Sequence, residues 1–466
     1  MPTRNIETDY LVVGTGAVGM AFADTLLTET DDRIILVDKY AKPGGHWNVA
    51  YPFVTLHQPS SFYGVNSVEL SRGRIDQSGL NQGLHELASG SEVSAYFENV
   101  MKDRFLPSGR VQYFPMSEYK GEGEFVSLLG GESHSVQVTK KTVDATFLNT
   151  SVPATHTPNF RISPNVRFMP LNELVKVSSA PAGFTIVGGG KTGIDACLFL
   201  IEQGVDPDNI RWIVPRDAWL LDRRNTQSSP EFFVDSIGAQ ASQLEAIAQS
   251  ESVTDLFDRL EACGVLLRID TSVRPKMFHG ATISQLELRA LRRIKNVVRM
   301  GRVTEINESE IVLDNGTIPT SDEVIHVDCS ARAIPNQEIK PIFESGLITP
   351  QTVRAYQPVF SAAFAAMVEA RFGTDEEKNK ICGVVPLPNH DTDWVPMTAA
   401  MMQNQYVWSK HPDIGQWLLS NRLDGFAAMV AGVAPDDMEK LLVLKRIQES
   451  RIPAFERLGA LMTQQQ

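Results

Sequence analysis

The stretch FTIVGGGKTGIDACLFLIEQG, residues 184–204, decides the fold. It contains Gly-Lys-Thr, the ending of a phosphate-binding P-loop, and it also has Gly188, Gly190 and Gly193 in the GxGxxG spacing of a dinucleotide-binding turn. A P-loop would need a further glycine at position 185 to begin its ring of backbone N–H groups, and this chain has Thr185 there. The P-loop is therefore excluded.

The residues around the turn favour a dinucleotide site. An apolar run precedes the first glycine, and helical apolar spacing follows the last one, which predicts a strand, a tight turn and a helix. Such a turn brings backbone close to a pyrophosphate and aims a helix N-terminus at it. We expect the contacts to come from five residues: Gly188, Gly190, Lys191, Thr192 and Gly193.

The N-terminus repeats this arrangement. In DYLVVGTGAVGMAFADTLL a predicted strand leads into Gly14, Gly16 and Gly19, and a predicted helix follows. The next predicted strand, RIILVDKY, ends at Asp38, with Lys39 beside it. A carboxylate at this position accepts hydrogen bonds from ribose hydroxyls and repels a 2′-phosphate, which suits the adenosine of FAD or NAD.

The second copy carries the opposite charge at the corresponding place. Its next strand lies in IRWIVPRDAWLLDRR, where Arg216 stands in place of an acid and Arg223 and Arg224 follow. A guanidinium offers a planar fork of donors to a phosphate, so this half is predicted to prefer NADPH to NADH, with Lys191 as a second cation. The alternative makes Arg216 a surface residue beside Asp217.

Two such units, about 170 residues apart, resemble the two-dinucleotide-binding flavoproteins, in which an NAD(P)H domain interrupts an FAD domain. The resemblance implies an α/β fold with two Rossmann-like domains and a helical C-terminal region. Short strands are predicted within 125–148, long helices within 229–264 and a meander within 297–317. The implied domains are the first part of the FAD domain (1–150), an inserted NAD(P)H domain with a helical insertion (151–325), and the second part of the FAD domain with a helical cap (326–466).

Two similar short segments, here called the internal echo, lie on either side of the second turn in the sequence. TVDATFLNTSVP from Thr142 and HVDCSARAIP from His326 share Val-Asp, small residues and a proline. The resemblance implies that the chain leaves the FAD domain in the first passage and re-enters it in the second. Small residues such as Cys329 and Ser330 would then let backbone approach a cofactor. The alternative is coincidence in a short pattern.

The segment KPGGHWNVAYPFVTLHQPSSFYGVNS resembles the GGxW segment of the flavin-containing monooxygenases and Baeyer-Villiger enzymes. The resemblance implies that Gly45 lies against FAD and that Trp47 walls off the flavin ring. His46, His57 and Gln58 are the polar residues expected to face the ring, and they are the candidates for a catalytic role. A lone histidine in a sequence is more often structural.

The resemblance implies transfer of hydride from NADPH to FAD, followed by insertion of one oxygen atom into a small organic substrate through a flavin C4a-(hydro)peroxide. The FxGxxxHxxx(W/F) fingerprint of those monooxygenases is absent from residues 159–183. An NAD(P)H dehydrogenase that passes electrons to a quinone or another small acceptor therefore stays open. So does a flavoprotein that acts as a redox-responsive binding module.

The composition of the chain excludes several classes of binding partner. The chain has 43 Lys and Arg against 56 Asp and Glu, and its net charge of -13 opposes binding to nucleic acid or to an anionic membrane surface. No run reaches the ~18 apolar residues of a membrane span, and no signal peptide is evident, so a cytoplasmic protein is predicted. The four cysteines form no CxxC pair, which predicts neither a zinc site nor a dithiol centre.

Overall fold

The computed structural model describes residues 4–148, 150–331 and 338–464. It has the predicted α/β fold: two sheets built mainly from parallel strands, each with a glycine turn at the end of a central strand, and a helical C-terminal region. Parts of both passages of the internal echo, Asn149 and the run 332–335, lie outside the described residues.

The described strands are β1 (Arg4–Val13), β2 (Ile34–Val37), β3 (Gly64–Val65), β4 (Val68–Glu69), β5 (Val111–Phe114), β6 (Ser117–Gly121), β7 (Glu124–Ser127), β8 (Ser133–Asp144), β9 (Arg161–Ile162), β10 (Phe168–Pro170), β11 (Gly183–Val187), β12 (Ile210–Ile213), β13 (Ala218–Asp222), β14 (Leu266–Leu267), β15 (Met277–Ile283), β16 (Asn296–Val298), β17 (Val303–Ile306), β18 (Glu310–Leu313), β19 (Gly316–Pro319), β20 (Val324–Asp328), β21 (Phe343–Glu344) and β22 (Leu347–Ile348).

The described α-helices are α1 (Ala17–Glu29), α2 (Gly90–Val100), α3 (Lys191–Glu202), α4 (Phe233–Gln249), α5 (Val253–Ala262), α6 (Gln285–Leu291), α7 (Pro358–Arg371), α8 (Asp375–Ile381), α9 (Trp394–Trp408), α10 (Pro412–Ser420), α11 (Ala427–Ala431) and α12 (Met438–Gln464).

The first sheet has the strand order β21-β22-β8-β1-β2-β5, and the β6-β7 hairpin joins it through β8. The strands from β22 to β5 pair in parallel, which leaves the C-terminal ends of β1, β2 and β5 on one edge. All four residues of β2 are buried, as expected of a parallel strand that is covered on both faces. Helix α1 is buried between this sheet and α7.

The second sheet, β10-β20-β11-β12-β16, is parallel throughout. Its composition corrects the predicted domain boundary. A division between residues 325 and 326 would cut β20, which pairs with both β10 and β11 at the centre of this sheet. The chain rejoins the first sheet later, at β21 and β22.

The predicted local elements are confirmed. The helices of the insertion are α4 and α5, and β17, β18 and β19 form the meander, with Gly316 at a φ of 136° in the Asn-Gly turn. The helical tail is confirmed as well, but it packs on more than the first domain. Helix α7 lies on α1, whereas Ala454, Leu458 and Leu461 of α12 belong to one core cluster with Trp219 of β13 and Phe257 of the insertion helix α5.

Candidate functional site

The first glycine turn joins β1 to α1. Gly14 has a φ of 95°, and a side chain on Gly19 would put its Cβ 1.9 Å from the carbonyl oxygen of Gly14. Gly16 is the N-cap of α1 and offers no side-chain cap, so the first backbone N–H groups of the helix point out of the turn. This geometry leaves a helix N-terminus available to an anion.

Asp38 follows β2 and faces this turn. The Thr15 backbone N–H and hydroxyl donate to Asp38 Oδ2 at 2.5 and 2.7 Å, and the Tyr40 N–H donates to Oδ1 at 2.8 Å. The carboxylate is buried, whereas Lys39 is exposed with its Nζ over the Tyr40 ring. Asp38 is therefore fixed beside the turn with acceptor capacity left for further donors.

The paired glycines lie directly against the first turn. The Gly44 N–H donates to the Thr15 carbonyl at 2.8 Å. A Cβ on Gly45 would come within 2.9 Å of Gly16 Cα, and Gly44 and Gly45 have φ values of 118° and 58°. Because both the conformation and the close approach require glycine here, this loop presents bare backbone to whatever the turn binds.

Trp47 and His46 follow in the same loop. The Trp47 indole N–H donates to the Tyr63 hydroxyl at 2.7 Å, and the two rings meet edge to face. His46 stacks on Trp47 with ring centroids 5.2 Å apart, and burial lowers the pKa of His46 to about 4. The imidazole is therefore neutral at physiological pH and can serve as an acceptor or a donor but not as a cation.

The second glycine turn joins β11 to α3 with the same backbone. Gly188 has a φ of 134°, and a Cβ on Gly193 would come within 2.1 Å of the Gly188 carbonyl oxygen. A Cβ on Gly188 itself would lie 2.3 Å from the Cys329 carbonyl oxygen. Gly190 is the N-cap of α3, and nothing lies within 4 Å of the place of its Cβ.

The internal echo marks equivalent strands of the two sheets. Asp144 at the end of β8 accepts from the N–H and the hydroxyl of Thr146, at 3.0 and 2.6 Å. Asp328 at the end of β20 accepts from the same groups of Ser330, at 2.9 and 2.6 Å. The second passage begins in β20, which pairs within the second sheet, and the chain rejoins the first sheet after this strand, at β21 and β22, so the predicted re-entry follows β20 and does not begin at residue 326. Cys329 and Ser330 therefore belong to the second turn.

An ion pair and a tyrosine connect the second turn to the glycine-rich loop. Lys191, the first residue of α3, forms an ion pair with Asp195 one turn further on. The Tyr51 hydroxyl donates to the other oxygen of Asp195 at 2.6 Å. Thr192 is half-buried beside Lys191. The first loop and the second dinucleotide turn are thus in direct contact at the place where a cation could meet a phosphate.

His57 lies close to this contact. Burial and the positive charge of Lys191 lower the pKa of His57 to about 3, so its ring is neutral. Within the described part of the chain, His57 Nδ1 is buried and has no hydrogen-bond partner. Gln58 beside it is half-buried. An unpaired buried nitrogen is costly, which makes His57 a position where a ligand atom could complete the hydrogen bonding.

Arg216 is half-buried and lies beyond the end of β12. In register, Val214 rather than Arg216 is the counterpart of Asp38, because β1 pairs Val13 with Val37 and β11 pairs Val187 with Ile213. The Arg216 guanidinium donates to the Asn389 side chain at 2.9 Å. Asp217, its neighbour, is bound by Arg299. The sequence prediction is therefore corrected by two residues: Arg216 lies beyond the position that corresponds to Asp38, and its carbonyl oxygen is 3.1 Å from the place of a Cβ on Gly189 in the second turn.

Arg223 is not available as a phosphate contact, which corrects the sequence prediction. Its side chain is fully buried and pairs with Glu287 at 2.8 Å. Its other donors bind the His57 carbonyl and Asn81 Oδ1, both at 3.0 Å. With all three guanidinium nitrogens hydrogen-bonded, Arg223 holds the His57 loop against the second domain.

Sequence reasoning missed several partners of the predicted residues. Thr15 was visible only as the variable position of a GxGxxG turn, and Tyr51 and Asp195 come together across 144 residues of chain. Tyr63 binds Trp47 from a separate loop. Long-range pairs of this kind leave no local pattern, although Thr15 could have been found as a hydroxyl in the turn next to an acidic strand end.

Both turns fit a dinucleotide. Each has a glycine N-cap, and neither Gly16 nor Gly190 has a side chain above the helix N-terminus. By contrast, no cluster of three or more His, Cys, Asp or Glu side chains in the described ranges could hold a metal ion. Among the helices of the described residues, none combines the length and apolar character needed to cross a membrane.

No protein-family model matches the sequence. The chain is 45% identical over 464 residues to the uncharacterized protein Rv2000 of Mycobacterium tuberculosis (strain H37Rv). This alignment covers 99% of this chain and 86% of that protein. The same values hold for the uncharacterized protein Mb2023 of Mycobacterium bovis.

Solved structures are similar at much lower identity. An oxidized steroid monooxygenase bound to NADP matches 78% of this chain and 85% of its own, with 14% identity and a TM-score of 0.49. A flavin-containing monooxygenase from Stenotrophomonas maltophilia matches 78% of this chain and 98% of its own, with 14% identity and a TM-score of 0.41. They decide neither the reaction nor the substrate of this chain.

Proposed function

This chain belongs to the family of the mycobacterial proteins Rv2000 and Mb2023, and we propose that it is an oxidoreductase that binds FAD at the first glycine turn and NADPH at the second. The observation that carries the proposal is the pair of turns with one backbone geometry and opposite charges beside them. Asp38 stands at the first turn and Arg216 at the second.

FAD is proposed for the first turn because of the groups around it. The N-terminus of α1 would face the pyrophosphate, and Asp38 would accept from the ribose hydroxyls. Gly44 and Gly45 supply bare backbone on the opposite side of the turn. Trp47, held by Tyr63, would cover the flavin ring and exclude water from it.

NADPH is proposed for the second turn. The N-terminus of α3 and Lys191 would bind the pyrophosphate, and Arg216 would bind the 2′-phosphate through its guanidinium fork. His57 is neutral, is influenced by the charge of Lys191 and has a buried nitrogen without a partner in the described structure, so it would complete a hydrogen bond to the bound nucleotide. His46, which stacks on Trp47, would be the corresponding histidine beside the first turn.

Bound FAD would supply the redox chemistry, accepting hydride from NADPH and passing the electrons on. The chain's own part is to hold the two nucleotides and to keep the space between them dry. We propose molecular oxygen as the acceptor and a small organic molecule as the substrate that receives one oxygen atom. A quinone or another small acceptor is the outcome that the experiment must distinguish from this.

The test begins with the colour of the purified protein. Yellow protein with the spectrum of oxidised flavin is expected, and protein that stays colourless after incubation with FAD contradicts the proposal. NADPH added without oxygen should bleach the flavin. A flavin that dithionite bleaches but NADPH does not would remove the assignment of the second turn and favour a binding module.

Admission of air then separates the reactions. A spectroscopically distinct species that persists before the flavin spectrum returns, and that amines, sulfides or ketones shorten, supports oxygenation. Immediate return, with faster turnover when a quinone is added, supports a dehydrogenase. The matched control is Gly190→Val, which places a side chain in open space above the α3 N-terminus. This variant should stay yellow, bleach with dithionite, and resist NADPH.

A further inference from the structure

Tyr113 lies on β5, the strand next to the one that ends at Asp38. In the parallel register Tyr113 pairs with Leu36 and Phe114 with Val37, and the Asp38 N–H donates to the Phe114 carbonyl at 3.1 Å. Tyr113 therefore lies two residues before the register position of Asp38, close to the edge at which the first turn and Asp38 meet, and on the same face as the Asp38 position.

The two aromatic residues of β5 face opposite sides of the sheet. Phe114 packs with Phe125 on the face away from α1, and Tyr113 packs against the core cluster that contains α1 and α7. The Tyr113 side chain thus points to the side of the sheet on which the first glycine turn begins its helix. Its ring fills the core, and its hydroxyl reaches towards the turn.

The Tyr113 hydroxyl is buried without a hydrogen-bond partner among the residues that the structure describes. The groups around it are those of the first turn and its surroundings: the Thr15 hydroxyl, the Asp38 carboxylate and the Glu98 carboxylate. Burial and the two carboxylates raise the pKa of Tyr113 to about 12, so the hydroxyl keeps its proton. The protonated hydroxyl is therefore a donor that no group of the described structure accepts from.

An unsatisfied buried hydroxyl destabilises the protein by itself, so it is retained at a cost unless something accepts its proton. Thr15 and Asp38 already bind each other, and Glu98 pairs with Lys42 at 2.8 Å. The Thr15 hydroxyl lies near enough to lower the pKa of Tyr113 against the effect of burial, but neither it nor the two carboxylates makes a hydrogen bond of good geometry with the Tyr113 hydroxyl in the described structure. The missing acceptor is therefore expected from a molecule that enters the turn.

We propose that the Tyr113 hydroxyl donates a hydrogen bond to an oxygen of the ribose and phosphate half of the dinucleotide bound at the first glycine turn. The inference rests on the proposed nucleotide site and goes further, because it assigns a contact to a residue outside the GxGxxG turn, the acidic strand end and the glycine loop. It also makes the adenosine half, and not the flavin, the part of the ligand that Tyr113 recognises.

The experiment compares wild type with Tyr113→Phe, which removes the hydroxyl and keeps the ring. Full-length protein stripped of flavin is titrated with FAD, ADP, adenosine and FMN, with adenosine 2′,5′-bisphosphate present throughout to fill the second turn. Loss of one neutral hydrogen bond should weaken FAD and ADP about 3- to 10-fold and leave FMN unchanged. Adenosine weakened equally assigns the contact to the ribose, and adenosine unaffected assigns it to the phosphate.

Thermal unfolding supplies a readout of opposite sign. Without nucleotide, Tyr113→Phe should unfold at a higher temperature than wild type, because an unpaired buried hydroxyl has been removed. With saturating FAD this advantage should shrink or reverse. The matched control is Tyr356→Phe, since Tyr356 also carries a buried hydroxyl without a partner in the described structure and packs on Phe278, away from the first turn. It should gain stability equally with and without FAD.

Equal affinities of wild type and Tyr113→Phe for FAD and ADP would overturn the inference, as would a stability gain that FAD leaves unchanged. Failure of the proposed function gives a different pattern. If wild type binds ADP but not FAD, the proposal that FAD is the ligand is contradicted. The effect of Tyr113→Phe on the affinity for ADP then still tests the proposed hydrogen bond from Tyr113. Wild type that binds neither nucleotide overturns both.

Discussion

The two glycine turns share a backbone and differ in what stands around it. In each, the first glycine has a positive φ, 95° at Gly14 and 134° at Gly188, and the last glycine packs on the carbonyl of the first. In each, the neighbouring strand ends in an aspartate that binds the N–H and hydroxyl two residues on. These common features build the strand, the turn and the helix.

The differences lie at the mouth of each turn. The loop of Gly44 and Gly45 covers the first turn, with Gly45 close to Gly16, whereas the space beside Gly190 in the second turn is open. The first mouth has a fixed carboxylate, and the second has the cations Lys191 and Arg216. The shared features belong to the strand, turn and helix of each fold unit, and we propose that the different ones select the ligand, with a retained cofactor at one turn and an exchangeable reductant at the other.

The largest effect is expected from Arg223, the arginine that the comparison removes from the second turn. Arg223→Met should lower the free energy of unfolding by about 3–5 kcal/mol, because it leaves Glu287 as an uncompensated buried charge. Urea unfolding followed by fluorescence measures this. Arg224→Met is the matched control, since the exposed Arg224 pairs with Asp235 and its loss should change stability by about 0.5 kcal/mol or less. If the two variants lowered the free energy of unfolding equally, the burial of Arg223 would be contradicted.

The second prediction tests the shared backbone. Gly19→Ala would bring a Cβ within 1.9 Å of a backbone oxygen, and Gly193→Ala within 2.1 Å. Each should cost about 3 kcal/mol of stability, because backbone cannot give way as a side chain does. Gly19→Ala should lose bound flavin, and Gly193→Ala should keep it and lose reduction by NADPH. Gly190→Ala meets no atom within 4 Å and should keep wild-type stability. Loss of flavin from both Gly19→Ala and Gly193→Ala would contradict the proposal that the two turns bind different nucleotides.

The third prediction compares removal of the charge of Asp38 with removal of the charge of Arg216. Asp38→Asn should weaken FAD by about 2 kcal/mol, about 30-fold, and leave the KM for NADPH unchanged, since charged hydrogen bonds are lost at the first turn alone. Arg216→Ala should raise the KM for NADPH by a similar factor, change that for NADH about 2-fold or less, and leave FAD bound.

Asn389→Ala controls the Arg216 variant. It removes the side chain that accepts from Arg216 but keeps the cation, so the preference for NADPH over NADH should persist. An equal rise of both KM values in Arg216→Ala would contradict the phosphate contact, and a loss of flavin there would contradict the separation of the two sites.

The turns were predictable because each is local. Gly188 to Gly193 lie within six consecutive residues, and strand, glycine spacing and helix are all written in one short segment. Asp38 was predictable for the same reason, as the end of the next strand. The paired glycines were predictable as a motif, but their contact with Gly16 joins two separate segments and appears only in three dimensions.

What failed depended on pairing and burial. The domain boundary at residue 325 was wrong because β20, in which the second Val-Asp passage begins, pairs with β11, and this pairing leaves no mark in the sequence. Arg223 and Arg224 are neighbours of one type, yet the side chain of the first is 0% exposed and that of the second 54%. The partner that buries Arg223 is Glu287, 64 residues away.

The smallest effect concerns the two histidines, one beside each turn. Folded-state pKa values of about 4 for His46 and about 3 for His57 lie below the unfolded value of 6.5, so the unfolded chain binds protons more readily. The stability from keeping these rings neutral is complete above the unfolded pKa and is lost as the pH falls below it. Between pH 6.5 and about pH 5.5 each ring should lower the free energy of unfolding by about 1 kcal/mol. His57→Asn should remove that part of the pH dependence, and Gln58→Asn, a change in the same loop without a titrating group, should keep it. Urea unfolding at a series of pH values measures the slope, and an unchanged slope in His57→Asn would mean that the ring beside the second turn is not held neutral.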